Sequence, residues 1–119
     1  MRILVTGSRD WKDTKTIYRA LDKYLYCGEV ITVVHGAAQG ADTIAGYWAF
    51  MTGQVEEKHP ANWDKYGRRA GYVRNAEMVD SNPDVCLAFI KNNSRGATMC
   101  AELAEKAGID VLYFRDDKE

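Results

Sequence analysis

Short, unbroken apolar runs in this chain alternate with stretches in which apolar residues recur every three or four positions. The runs are Ile3-Leu4-Val5, Ile31-Thr32-Val33-Val34 and Val85-Cys86-Leu87-Ala88-Phe89-Ile90. Without polar alternation, such runs are the signature of strands buried on both faces. The pattern predicts strands over 2–5, 30–35, 55–58, 85–90 and 110–114, and helices over 13–26, 40–52, 70–80 and 96–107. Asp13 or Thr14 caps the first helix, with Ile17, Leu21, Tyr24 and Leu25 inward. Ile44, Tyr47, Trp48 and Met51 recur on the second, and Gly53 suits its C-terminal stop. His59-Pro60 ends the third strand, Asp64 caps a turn carrying Lys65 and Tyr66, and Gly67 breaks that turn. Val73, Ala76, Glu77 and Met78 lie in the body of the third helix, Gly108 stops the fourth, and residues 115–119 read as a frayed polar tail.

Strands alternating with helices specify a parallel sheet covered on both faces. The expected fold is a single α/β domain over residues 1–119, a three-layer Rossmann-like sandwich with a five-stranded parallel sheet in the order 3-2-1-4-5. That order puts the topological switch point between strands one and four, where ligands of such sheets bind. The loops at 7–11 and 92–98 then face each other across a crevice, with 36–42 beside them.

These loops carry the candidate chemistry. Gly7 and Ser8 suit a tight turn that exposes N–H groups, and Arg9 offers a planar fork of donors for phosphate. Trp11 either stacks on a base or packs inward. Gly36, Gly40 and the alanines between them would let a phosphate or ribose rest on the backbone, and Asp42 either binds ribose hydroxyls or complements the helix dipole. The run lacks both the GK[ST] ending of a P-loop and the G-x-G-x-x-G spacing of a dinucleotide site. Ser94, Arg95, Gly96 and Thr98 open a helix as a phosphate seat, with an ordinary Ser94 cap as the alternative. Arg74 and Asn75 either reach across the crevice or lie on a solvated face, and Glu77 is the candidate general acid–base. His35, at a strand end, reads as structural.

The hydrophobic fraction of 46% and charged fraction of 28% are those of an ordinary globular domain. A net charge of −1 gives no basic surface for general nucleic-acid binding. Cys27, Cys86 and Cys100 form neither a CxxC pair nor a zinc pattern, so no metal and no cofactor is expected; Cys86 and Cys100 read as buried thiols. No apolar run is long enough to span a bilayer and none reads as a signal peptide, so the expected setting is cytoplasmic. Tyr47, Trp48 and Phe50 either form an apolar patch for a homodimer or fill the core.

Taken in order, Gly-Ser-Arg-Asp-Trp at 7–11, His-Gly-Ala-Ala-Gln-Gly-Ala-Asp at 35–42, Pro-Ala-Asn-Trp at 60–63, Gly67, Ala70-Gly71, Arg-Asn-Ala-Glu-Met at 74–78, Ser-Arg-Gly at 94–96 and Ala-Gly-Ile at 107–109 resemble the YspA/YpsA-related branch of the SLOG superfamily. The resemblance spans nearly the whole chain. It implies a small Rossmann-like domain of bacteria or their phages that binds a nucleotide or nucleotide-derived ligand at this loop cluster. Relatives in that superfamily include LOG-type phosphoribohydrolases, sensors of ADP-ribose-like signalling nucleotides, and the single-stranded-DNA binder DprA. LOG-type enzymes carry a Gly-Gly-x-Gly-Thr-x-x-Glu loop. Here Ala97 stands at the threonine position and Cys100 at the glutamate position, while Glu102 is two residues out of register, roughly 200° around a helix.

Three functions follow as expectations: a binding module for a nucleotide or ADP-ribose-like ligand, as sensor or sponge; a nucleotide N-glycosidic hydrolase; and a DprA-like single-stranded-DNA binder. The missing LOG carboxylate favours the first. The second needs an acid near the anomeric carbon, for which Asp10, Asp42 and Glu77 are available. Neutral charge argues against the third, although Trp11, Trp63 and Tyr72 offer stacking faces.

Overall fold

A computed structural model describes residues 1–116. Its strands are β1 (Arg2–Gly7), β2 (Thr32–His35), β3 (Val55–Lys58), β4 (Val85–Ile90) and β5 (Asp110–Arg115). They form an all-parallel sheet in the order β3-β2-β1-β4-β5, as the alternation predicts. The helices are α1 (Thr14–Asp22), α2 (Ala41–Thr52), α3 (Trp63–Tyr66), α4 (Ala70–Asp80) and α5 (Arg95–Lys106).

Strand pleating sends alternate residues to opposite faces, which accounts for the two-sided core. Ile3, Val5, Val33, Leu87 and Phe89 pack with Ile17, Leu21, Ala45 and Trp48 of α1 and α2. Leu4, Val34 and Cys86 meet Met78 of α4 with Cys100 and Ala104 of α5, and Ala88 and Ile90 meet Ala97 and Ala101. Every residue of β4 is buried, because it sits between β1 and β5 with a helical layer on each side. Trp11 packs inward, edge-on to Phe89 at 5.5 Å between ring centroids.

Several boundaries differ from the sequence reading. The first helix stops at Asp22 and continues as a 3-10 turn over Lys23–Cys27, ended by Gly28 at φ 78°. The tighter turn rotates Leu25 outward, so only Tyr24 of that pair packs against the core. Asp13 caps α1 as expected, its carboxylate accepting from Thr16 N–H. In α2 only half of the stripe of large residues faces inward, Trp48 in the core and Ile44 packed against it. Tyr47 and Phe50 lie exposed and stack on each other, and Met51 is exposed as well. The buried face is built on Ala41, Ala45 and Ala49, whose small side chains let the helix lie close to the sheet. The turn at 63–66 is a short helix, and its cap is Asn62 rather than Asp64. β5 extends through Arg115 and Asp116 N–H donates to Ile90 C=O, so the frayed tail does not begin at 115. Residues 117–119 lie outside the described residues.

Candidate functional site

The carboxyl ends of β1, β2 and β4 open into a cleft of about 480 Å³ at the switch point. Among its lining residues are Gly7, Arg9, Asp42, Trp63, Lys91 and Gly96. Distant segments are stitched together here by backbone hydrogen bonds. Ser8 N–H donates to Phe89 C=O, while Ser8 Oγ accepts from Lys91 N–H at 2.7 Å and lies 3.2 Å from Lys91 C=O, to which it donates. Ser8 is therefore consumed in joining the loops that follow β1 and β4, and its side chain does not line the cleft. Its carbonyl accepts from Trp11 and Ala41, which fixes the start of α2 on the first loop.

Gly40 makes that junction feasible. It sits at φ 77° and ψ −126°, and a Cβ there would collide with the carbonyl of Ser8. Gly36 matters for another reason: a Cβ there would displace the Arg74 guanidinium from its place against the loop. The cleft loops also hold Ala37 at φ 59° and Asn92 and Asn93 at φ 53°, left-handed conformations for side-chain-bearing residues.

The polar floor is one connected network. Asp42 Oδ2 accepts from the N–H groups of Gly36 (2.9 Å) and Ala38 (3.3 Å). The Gly36 carbonyl accepts from Arg74 Nη1 at 2.6 Å, and Arg74 Nε donates to Asn75 Oδ1 at 2.9 Å. Burial pushes the Asp42 carboxyl above its ordinary value, against the opposing pull of His35, the two N–H donors and Arg74. Beside this network His35 accepts from Ala37 N–H through Nδ1, so Nε2 bears the proton facing Glu56 Oε2 at 2.7 Å. His35 is a structural residue that ties β2 to β3.

The fourth-strand side is different. Ser94 stands at the N-cap of α5, but its side chain makes no capping hydrogen bond, and the Thr98 hydroxyl bonds the Ser94 carbonyl. The first-turn amides of α5 are left open beside Gly96 and Ala97 in the cleft. Arg95 and Thr98 line an adjoining depression with Arg115 instead of the main cleft. Cys100 is buried beneath, its thiol pushed up to about 11 by desolvation, so no nucleophile or carboxylate occupies that position. Desolvation raises the Cys86 thiol too, whereas Cys27 is exposed.

The structure thus brings Gly7, Arg9, Asp42, Arg74, Asn75, Ser94 and Gly96 to one cleft, with Gly36 in an adjoining recess shared with Arg9 and Arg74. Gly40 shapes the cleft from behind. Glu77 does not line it. Its side chain is exposed, 3.9 Å from His59 Nδ1, while His59 Nε2 holds Glu57 at 2.7 Å. Asn92 falls in the 92–98 loop expected at the crevice, whereas Lys91 and Met99 carry no such signal: Lys91 owes its place to the bend after β4 and Met99 to the second turn of α5. Trp63 was weighed only as a stacking face; its Pro-Ala-Asn-Trp motif was the available signal for a cleft position.

No helix among the described residues is long and apolar enough to cross a membrane, and no group of three or more His, Cys, Asp or Glu side chains there could hold a metal ion. No solved structure matches the chain. The chain is 46% identical over 121 residues to the Gene 61 protein of Mycobacterium phage D29, with 97% of each chain covered. Residues 1–66 match the family described as YAcAr: YspA, cpYpsA-related SLOG family. With more than half its length matched and a full-length relative alongside, the chain belongs to the YspA, cpYpsA-related SLOG family.

Proposed function

We propose that the cleft binds a nucleotide or nucleotide-derived, ADP-ribose-like ligand, and that the domain serves as a sensor or sponge for it. Membership of the SLOG family supports nucleotide-related ligand binding in general. The observation that carries the finer reading is a convergence of unspent donors. Arg9 and Lys91 line the cleft and form no ion pair among the described residues, and the uncapped start of α5 opens into the same cleft. Guanidinium, ammonium and free backbone N–H groups together are a phosphate seat. Trp63 stands half-exposed at the same cleft and offers a face on which a base stacks.

The hydrolase reading has weaker support: of its three candidate acids Asp10 and Asp42 line the cleft, but Asp42 is held on the Gly36 and Ala38 N–H groups, Glu77 faces His59 outside the cleft, and a buried Cys100 stands at the LOG glutamate position. Titrating nucleoside 5′-monophosphates, NAD and ADP-ribose against their unphosphorylated counterparts tests the proposal. The expected result is saturable binding without base release that requires the phosphate and weakens about 10-fold or more in Arg9→Ala. Arg95→Ala should do less, because its side chain lines the neighbouring depression. Base release would favour the hydrolase. Binding restricted to single-stranded DNA and falling steeply with salt would favour the DprA-like alternative. Equal losses for phosphorylated and unphosphorylated ligands in Arg9→Ala would remove the phosphate seat.

A further inference from the structure

Two side chains on the cleft floor are buried yet unfinished. Asp42 is 5% exposed and Asn75 is 4% exposed, and both line the cleft. Asp42 spends Oδ2 on the Gly36 and Ala38 N–H groups, leaving Oδ1 buried with no hydrogen-bond partner among the described residues. Arginine can only donate, so the Asn75 atom facing Arg74 Nε must be its oxygen. The amide nitrogen of Asn75 is thereby turned away from Arg74, and it makes no hydrogen bond among the described residues. Both groups hang on one rigid chain of bonds: Asp42 to Gly36 N–H, Gly36 C=O to Arg74, and Arg74 to Asn75. One end of that chain ends in an unmet oxygen and the other in an unmet donor. Burying an acceptor in the condition of Asp42 Oδ1 is costly, and structures that do so commonly hold a place for a missing partner.

Resting on the cleft being the nucleotide site, we infer that the Asp42–Arg74–Asn75 network reads a sugar hydroxyl of the ligand. A hydroxyl donates to Asp42 Oδ1 while accepting from Asn75 Nδ2, and so completes both ends of the network. A phosphate dianion has no proton to give Asp42 and belongs with Arg9, Lys91 and the α5 amides. An apolar group would leave both ends unmet. Arg74, whose Nε and Nη1 are committed inside the protein, is a positioning residue that sets the Asn75 amide. The ligand class is accordingly a phosphorylated sugar that keeps its hydroxyls, with ribose preferred over deoxyribose.

The test is calorimetric titration of the whole chain with AMP, GMP, CMP and UMP, their 2′-deoxy and 3′-deoxy forms, and ribose 5-phosphate. The wild-type protein should bind ribo forms at least about 10-fold more tightly than one of the deoxy series, since a site built around a hydroxyl rejects the analogue lacking it. Asn75→Asp keeps the acceptor for Arg74 but removes the donor, and should level that preference. Asp42→Asn should reduce it as well, with thermal melts confirming that both variants fold. Equal binding of ribo and both deoxy forms by the wild-type protein overturns the inference while leaving a phosphate-dependent nucleotide site intact. An undiminished preference in both folded variants overturns it too. If none of the phosphorylated probes binds, the nucleotide proposal falls and this inference with it.

Discussion

Gly40 shows how much one residue decides here. Its φ of 77° with ψ of −126° lies in a region closed to side-chain-bearing residues, and the Ser8 and Arg9 backbone fills the space where a Cβ would stand. Gly40→Ala should therefore cost at least about 2 kcal/mol of folding stability and weaken ligand binding, because the first and second loops share that junction. A urea unfolding curve superimposable on the wild type would show the junction to be slack. The glycines and small residues of these loops were legible in the sequence, because close backbone approach requires them. The division of labour among the polar residues was not. Ser8 reads as an exposed loop donor, yet the return of β4 beside β1 turns it into a buried staple on Lys91. Arg95 reads as the phosphate ligand, yet the first turn of α5 points it into the neighbouring depression while presenting Gly96 to the cleft.

At the scale of elements, α2 separates apolar periodicity from burial. Trp48 is 1% exposed and its Nε1 donates to Asp22 at 2.8 Å, tying α2 to the end of α1. Phe50, two positions on, is 77% exposed. Trp48→Ala should lose about 3–5 kcal/mol in chemical denaturation, whereas Phe50→Ala should stay within about 0.5 kcal/mol of wild type. Comparable losses in both would mean that the Tyr47–Phe50 stack is covered in solution. Counting large apolar residues finds Ile44 and Trp48 but misplaces Tyr47 and Met51, because a helix lying tightly on a parallel sheet presents mainly alanine and glycine to it. The strands read more reliably. β4 is buried on both sides along its whole length, and only an unbroken apolar run satisfies that environment.

Across the whole molecule, one ion-pair group joins segments far apart in the chain. Arg2 at the start of β1 grips Glu57 of β3 bidentately, at 3.0 and 2.7 Å, and His59 Nε2 reaches the same carboxylate. Hydrogen bonds from Arg2 and His59 hold the Glu57 carboxyl down at about 2. A carboxyl depressed in the folded state stabilises above its unfolded pKa and loses that contribution as the pH falls toward the folded value. Stability should therefore drop between about pH 4.5 and pH 2, and Glu57→Gln should flatten that part of the profile in denaturation measured at stepped pH. An unchanged slope in the variant would remove Glu57 from the account. Arg2 and Glu57 are 55 positions apart, and no local pattern pairs them. The sequence by itself determined the βα alternation, the parallel sheet, its winding and the polar loops at one edge, because strand burial, helix periodicity and right-handed crossovers are local or topological demands. Only the tertiary structure decided which polar atoms are consumed in holding those loops together and which are left facing the cleft. Hydrogen bonds saturate, and whether a donor or acceptor is already spent depends on neighbours brought close by folding rather than by order along the chain.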